Sequence, residues 1–169
     1  LPSNYGDQFR GEIMLDSLNN VYIASCTRST DFPTVTPIQA TNAGGQDGVI
    51  FKLSADFATL MWSTYFGGAE NDACYSVKID SSHNILFAGG TSSNDLPGTA
   101  GGIQPTYQGG KSDGFVGKLT SDGQTLTQST YIGTNAYDQT FFLEIDRWDN
   151  VYIVGQSDGS MPVFNATYS

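Results

Sequence analysis

The chain carries one pattern three times. Asp16-Ser-Leu-Asn-Asn20-Val-Tyr-Ile returns as Asp80-Ser-Ser-His-Asn84-Ile-Leu-Phe, and again as Asp146-Arg-Trp-Asp-Asn150-Val-Tyr-Ile, at offsets of 64 and 66 residues. Self-similarity at that period means stacked structural units, each burying its apolar faces against its neighbours. Other segments recur in the same register. Gly44-Gly45-Gln-Asp47-Gly48 with Lys52-Leu53 matches Gly109-Gly110-Lys-Ser-Asp113-Gly114 with Lys118-Leu119. Ser63-Thr64-Tyr65-Phe-Gly67 matches Ser129-Thr130-Tyr131-Ile-Gly133, Asp31-Phe32-Pro33 matches Asp95-Leu96-Pro97, and Ile38-Gln39 matches Ile103-Gln104. The units are 5–68, 69–134 and a partial third, 135–169, that stops after about half a repeat.

Each full unit holds four short apolar runs separated by turn residues, in unit two at about 74–80, 84–90, 113–119 and 126–132. Runs of this length with such punctuation read as antiparallel strands. No stretch shows a sustained helical period with caps. In Ile85-Leu-Phe-Ala88, Val21-Tyr-Ile-Ala24 and Val151-Tyr-Ile-Val154 both alternating sets are apolar, so the second strand is expected to be covered on both faces. A four-stranded sheet repeated and sandwiched between its own copies is a propeller blade. The expected fold is all-β: blades of four antiparallel strands, about two and a half of them, an incomplete propeller within one domain.

These segments together resemble the bacterial β-propeller repeat whose family name denotes a seven-bladed propeller. The resemblance covers nearly the whole chain, except that the third copy reads Ser160-Met161-Pro162 where the others carry Asp-Phe/Leu-Pro. It implies secreted or cell-surface bacterial proteins, often large and modular, some exported by the type IX route, with no common catalytic residue. Seven units would need about 455 residues, so the chain is expected to be part of a longer polypeptide whose remaining blades or flanking domains are its first partners.

Charge excludes some functions. A net charge of −10, from 17 acidic against 7 basic residues, disfavours nucleic acid and anionic membrane as partners. No apolar run reaches membrane-spanning length. Of 14 Asp, 12 fall at repeat-equivalent positions and read as turn and strand-edge chemistry copied with the blade. The Asp-x-x-x-Asn pattern suits a tight hairpin, with calcium as the alternative cofactor, although two side chains per turn are few for an ion that takes six to eight oxygens. His83, the single histidine, lies in such a turn, which argues against zinc and against a Ser-His-Asp triad. Cys26 and Cys74 have no repeat equivalents, and the strand order puts both at the same end of the propeller, which allows them to be neighbours across adjacent blades. They read as small buried thiols, with a disulfide as the alternative.

Surface recognition remains. The long connections between second and third strands, about 28–46 and 92–112, share one side with the blade-to-blade connections 67–73 and 133–139. Long, uneven loops on one side of a repeat protein form its usual binding surface. Arg28, Phe32, Glu70, Leu96, Tyr107, Lys111 and Tyr137 are its candidate contacts, with loop packing the competing role for Phe32 and Leu96 because both recur before Pro. Trp62 aligns with Gln128 on an outer strand and reads as rim packing. Asp16-Ser17-Leu18 resembles a short bacterial O-glycosylation pattern, and Asn165-Ala-Thr167 fits the N-glycosylation pattern.

The expected function is a non-catalytic extracellular or cell-surface module for protein or glycan interaction and display. A polysaccharide-active propeller enzyme with its site largely outside this segment, and a structural spacer of an adhesin or filament, are the alternatives. An enzyme predicts non-repeating acids or His converging at the central channel of the full protein.

Overall fold

The computed structural model describes residues 11–162 and shows ten strands, with no helix among the described residues. The first sheet is β1 (Glu12–Leu15), β2 (Val21–Thr27), β3 (Asp47–Leu53) and β4 (Leu60–Phe66). The second is β5 (Asp72–Ile79), β6 (Ile85–Thr91), β7 (Asp113–Leu119) and β8 (Leu126–Ile132). A third holds β9 (Asp138–Ile145) and β10 (Val151–Ser157). Every pairing is antiparallel between chain neighbours, the meander of a propeller blade.

The thrice-repeated turn joins the first two strands of each blade. Asp16 Oδ1 accepts from the main-chain N–H of Leu18 and of Asn20, both at 2.9 Å, while Oδ2 takes the Asn20 amide at 2.9 Å. Asp80 does the same with Ser82 and Asn84, and Asp146 with Trp148 and Asn150. The residue before the closing Asn takes the left-handed conformation in all three copies: Asn19 at φ 62°, His83 at 65° and Asp149 at 64°. That accounts for Asn, His and Asp at this one position, since these types tolerate αL best. In the two complete blades a lysine on the third strand closes the cage, Lys52 on Asp16 at 3.1 Å and Lys118 on Asp80 at 2.7 Å. The repeated Asp and the repeated Lys-Leu are therefore two halves of one contact.

Other recurring segments are also partners of one another. Tyr65 Oη accepts from Phe32 N and donates to Ser29 O, and Tyr131 Oη repeats this with Leu96 N and Ser93 O. Ser63 Oγ donates to Pro33 O at 2.7 Å, and Ser129 Oγ to Pro97 O. Thr64 and Thr130 accept from the main-chain N–H of Gln39 and Gln104. Ser-Thr-Tyr on the fourth strand thus binds Asp-x-Pro and Ile-Gln from the long loop. The loop runs along the outer edge of the sheet and occupies its unpaired groups, which blunts that edge.

Blades stack through their inner halves. Ala24, Ile50, Phe66, Cys74, Val77, Ile85, Phe87, Phe115 and Leu119 form one core running through both complete blades. Phe66 of blade one packs edge-on to Phe87 of blade two at 4.7 Å between centroids. Trp62, only 4 % exposed, packs edge-on to Tyr22, with Gly123 of the next blade's hairpin against its indole. It lies in a blade junction as well as on an outer strand. β6 is buried along its whole length, as its two-sided apolarity requires. β10 is not: Val151, Tyr152, Ile153 and Val154 are exposed, because no further blade covers them among the described residues. Their apolarity marks a face that the blade geometry would cover.

Candidate functional site: the loop face

The long loops and the blade-to-blade connections share one end of the sheets. Isolated parallel bridges join Gln46 to Asn71 and Ser112 to Tyr137. Glu70 O accepts from Gly45 N at 3.0 Å, and Glu70 N donates to Ser93 Oγ at 2.9 Å, so one connection is gripped by the loops of both flanking blades. Gln39 and Gln104 complete the frame: each side-chain oxygen accepts from the N–H of the glycine that ends the blade, Gly67 at 3.0 Å and Gly133 at 2.8 Å. Arg28, Glu70 and Lys111 are exposed on this braced surface.

Four candidate contacts have other surroundings. Leu96 is 4 % exposed and belongs to the core, so it offers no contact on the loop face. Phe32 is half-buried between Phe51 and Tyr65, each at 5.6 Å between centroids. Tyr107 is half-buried edge-on to Tyr131, and burial pushes its hydroxyl up to about 12. Tyr137 is half-buried in the bridge to Ser112. The recurrence of Phe32 and Leu96 before Pro was the signal for packing.

The thiols of Cys26 and Cys74 flank Gly48: Cys26 pairs with it across β2 and β3, and Cys74 Sγ lies 2.5 Å from where its Cβ would stand. Both cysteines are free, so the disulfide alternative is not realised in this structure. Burial raises both thiols, Cys74 strongly. Ser17 is exposed in its turn, and Asn165–Thr167 lies outside the described residues.

Sequence reasoning missed two groupings. The first is at the inner strands, where Glu12, Lys78 and Glu144 come from three successive blades. Lys78 Nζ pairs with Glu12 at 2.5 Å and with Glu144 at 3.2 Å. Glu12 Oε2 also accepts from Val77 N at 2.8 Å, an N–H left unpaired because β5 is its sheet's inner edge. Ser76, 64 residues after Glu12, gives the next junction the equivalent bond by accepting from Leu143 N at 3.0 Å. The second grouping is four fully buried aspartates, Asp47, Asp72, Asp113 and Asp138, at the first residues of β3, β5, β7 and β9. Burial raises Asp47, and carries Asp72 to about 6 and Asp113 to about 7.

Residues 62–97 match the SBBP family model, a beta-propeller repeat. The match runs from β4 of the first blade through β6 of the second to Pro97, across one blade junction. With the antiparallel four-stranded sheets, it supports a beta-propeller repeat assignment for the chain. No curated protein matches the chain.

Proposed function

We propose that the chain is an interaction and display module of a bacterial extracellular or cell-surface protein, working through the loop face without covalent chemistry. The observation that carries the reading is the bracing of that face. Loops that only connect strands need no such anchoring, whereas loops held by Tyr65, Tyr131, Gln39 and Gln104 present Arg28, Glu70 and Lys111 in fixed relation. A pre-organised surface spends less ordering entropy on binding. The ligand class is protein or glycan, and the remaining blades or flanking domains of a longer polypeptide complete the ring. The test applies the labelled protein to a glycan array and a panel of surface proteins. Binding that drops at least tenfold in an Arg28→Ala, Glu70→Ala, Lys111→Ala variant of unchanged melting temperature supports it. Binding absent throughout, or indifferent to these substitutions, favours a spacer.

A second reading has one observation in its favour. Glu12 and Glu144, acids without acidic counterparts in the other copies, converge on Lys78 at the inner strands. That convergence is what a polysaccharide-active propeller would place at its channel. Its test is release of reducing ends from polysaccharide, abolished by Glu144→Gln.

A further inference from the structure

We infer that the outer edge of β10 accepts an antiparallel strand of one chemistry: Asp-Gly at its start, a large aromatic residue third, and Lys-Leu at its end. Its source is the third strand of this same blade, supplied by the longer polypeptide on which the proposed function rests. Among the described residues β10 pairs with β9 alone, whereas β2 and β6 are paired along both edges. An unpaired edge is a template for a further strand. Extended segments bind such edges through main-chain hydrogen bonds, and side-chain pockets select their sequence.

A pocket of the required kind lies beside that edge. A cleft of about 180 Å³ is bordered by Ile132, Ile153 and Gly155. Each stands 66 residues after a residue that touches Phe115: Phe66, Phe87 and Gly89. The Phe115 ring lies 5.2 Å from Phe66 and 6.1 Å from Phe87 between centroids, and its Cζ is 2.9 Å from where a Cβ of Gly89 would stand. Gly89 and Gly155 also share their local geometry, since the first-strand carbonyl of Ala73 or Gln139 leaves no room for a Cβ at either. The cleft is therefore the Phe115 site of the following blade. Phe115 is the third residue of β7 and faces Gly89 across the ladder. Ile132 and Ile153 are smaller than the two phenylalanines they replace, so the side chain that fills this cleft is at least as large as Phe115.

The other end of the strand is specified by charge. In the first blade Lys52 of β3 reaches Asp16 at 3.1 Å and lies over the Tyr22 ring, 4.6 Å from its centroid. The third blade repeats both acceptors, as Asp146 and Tyr152. Tyr152 is 57 % exposed and donates to Asp146 at 3.1 Å, and among the described residues no lysine reaches either. A carboxylate beside an aromatic face suits an ammonium group. The register places both features on one strand. In the second blade Gly89 faces Phe115 and Leu86 faces Lys118, so Gly155 and Tyr152 set the aromatic and the lysine three residues apart. The third strand starts 20 residues after Thr27 in the first blade and 22 after Thr91 in the second. In the intact polypeptide it should start at the same interval beyond Ser157.

The experiment uses a labelled synthetic peptide of residues 110–120, which carries β7, as the probe for the 169-residue chain. Fluorescence anisotropy measures binding and amide hydrogen exchange locates it. The expected result is saturable binding below about 1 mM peptide, with slower exchange across Val151–Ser157. Phe115→Ala and Lys118→Ala in the peptide should each weaken binding about tenfold. In an Asp146→Ala protein the parent and Lys118→Ala peptides should bind much more nearly alike, which assigns the lysine to its partner. The unsubstituted protein with the three peptides keeps the test decisive if that variant fails to fold. No binding up to about 1 mM, binding without protection of β10, or binding indifferent to Phe115 would overturn the inference. A chain that is dimeric by itself, with β10 already protected, would assign the edge to a second copy and overturn it equally. The probe reports on the β10 edge alone, so its failure leaves the loop-face reading to its own array test.

Discussion

Replacing the aspartate that opens each inner hairpin by alanine applies one chemical change in three unequal settings. Asp80 sits in the fully sandwiched blade, its side chain 5 % exposed. It accepts two main-chain N–H bonds at 3.0 and 2.8 Å, the Asn84 amide at 3.0 Å and the Lys118 ammonium at 2.7 Å. At about 1 kcal/mol for each main-chain bond and about 1 kcal/mol for the lysine and amide together, after allowing for the partly exposed Lys118, Asp80→Ala should cost about 3 kcal/mol. Asp16 has equivalent partners with a side chain 11 % exposed, and should cost less. Asp146 has no third-strand lysine among the described residues and its N–H donors are exposed, so water replaces its carboxylate and its loss should matter least. Urea denaturation followed by far-UV circular dichroism at pH 7 reads the order. With a slope of about 2 kcal/mol/M, Asp80→Ala should lower the midpoint by about 1.5 M at unchanged slope. Equal shifts for Asp80→Ala and Asp146→Ala, or a larger one for Asp146→Ala, would refute the idea that burial and the lysine set the strength of the turn.

Asp16 titrates at about 2, below its ordinary value of 3.8, because hydrogen bonds from Asn20, Lys52 and Leu18 outweigh the opposing effect of burial. Its stabilisation is complete above about pH 4 and fades as pH falls through 2. Asp16→Asn should therefore cost about 1–2 kcal/mol at pH 7, after solvent screening, and almost nothing at pH 2. Urea midpoints at the two pH values check this, and a gap that persists in acid contradicts it. Gly117 faces Phe87, whose Cε1 lies 2.7 Å from the position of an added Cβ, so Gly117→Ala should lose about 1–3 kcal/mol by overpacking, visible as a lower melting temperature. Cys74 is fully buried with a raised thiol, whereas Cys26 is half-buried. Under native conditions iodoacetamide should modify Cys26 slowly and Cys74 only after unfolding, as mass spectrometry of the peptides would report; equal rates would show that the blade junction opens.

Most of the fold could be read from the repeat because periodicity survives even where single strands are ambiguous. The expected run 113–119 coincides with β7 and 126–132 with β8, while β5 begins two residues earlier than its expected 74. The early start has a cause: Asp72 and Ala73 pair with Thr91 and Gly90 although neither residue has strong strand preference, and a register shift after Cys74 accommodates the extra length. The site was less legible. Recurrence before Pro marked Phe32 and Leu96 as packing residues, yet nothing local distinguishes a strand-edge Asp facing water from one sealed inside a junction. Asp47 and Asp56 are both repeated; the first is fully buried and the second exposed. The difference is set by the loop 28–46, whose Gln39 and Ala43 fold over Asp47. The Glu12–Lys78–Glu144 group escaped notice because its members touch only across blades, and Lys78 looks like any exposed strand residue in one dimension.

The central claim is that the braced loop face is the working surface, and a paired comparison of faces tests it most directly. Once an array identifies a ligand, its affinity is measured for the loop-face variant (Arg28→Ala, Glu70→Ala, Lys111→Ala) and for a hairpin-face variant (Ser17→Ala, Gln124→Ala, Arg147→Ala). The account predicts at least a tenfold loss, about 1.4 kcal/mol, for the first and an unchanged affinity for the second. Loss confined to the hairpin-face variant, with the loop-face variant binding normally, would contradict it.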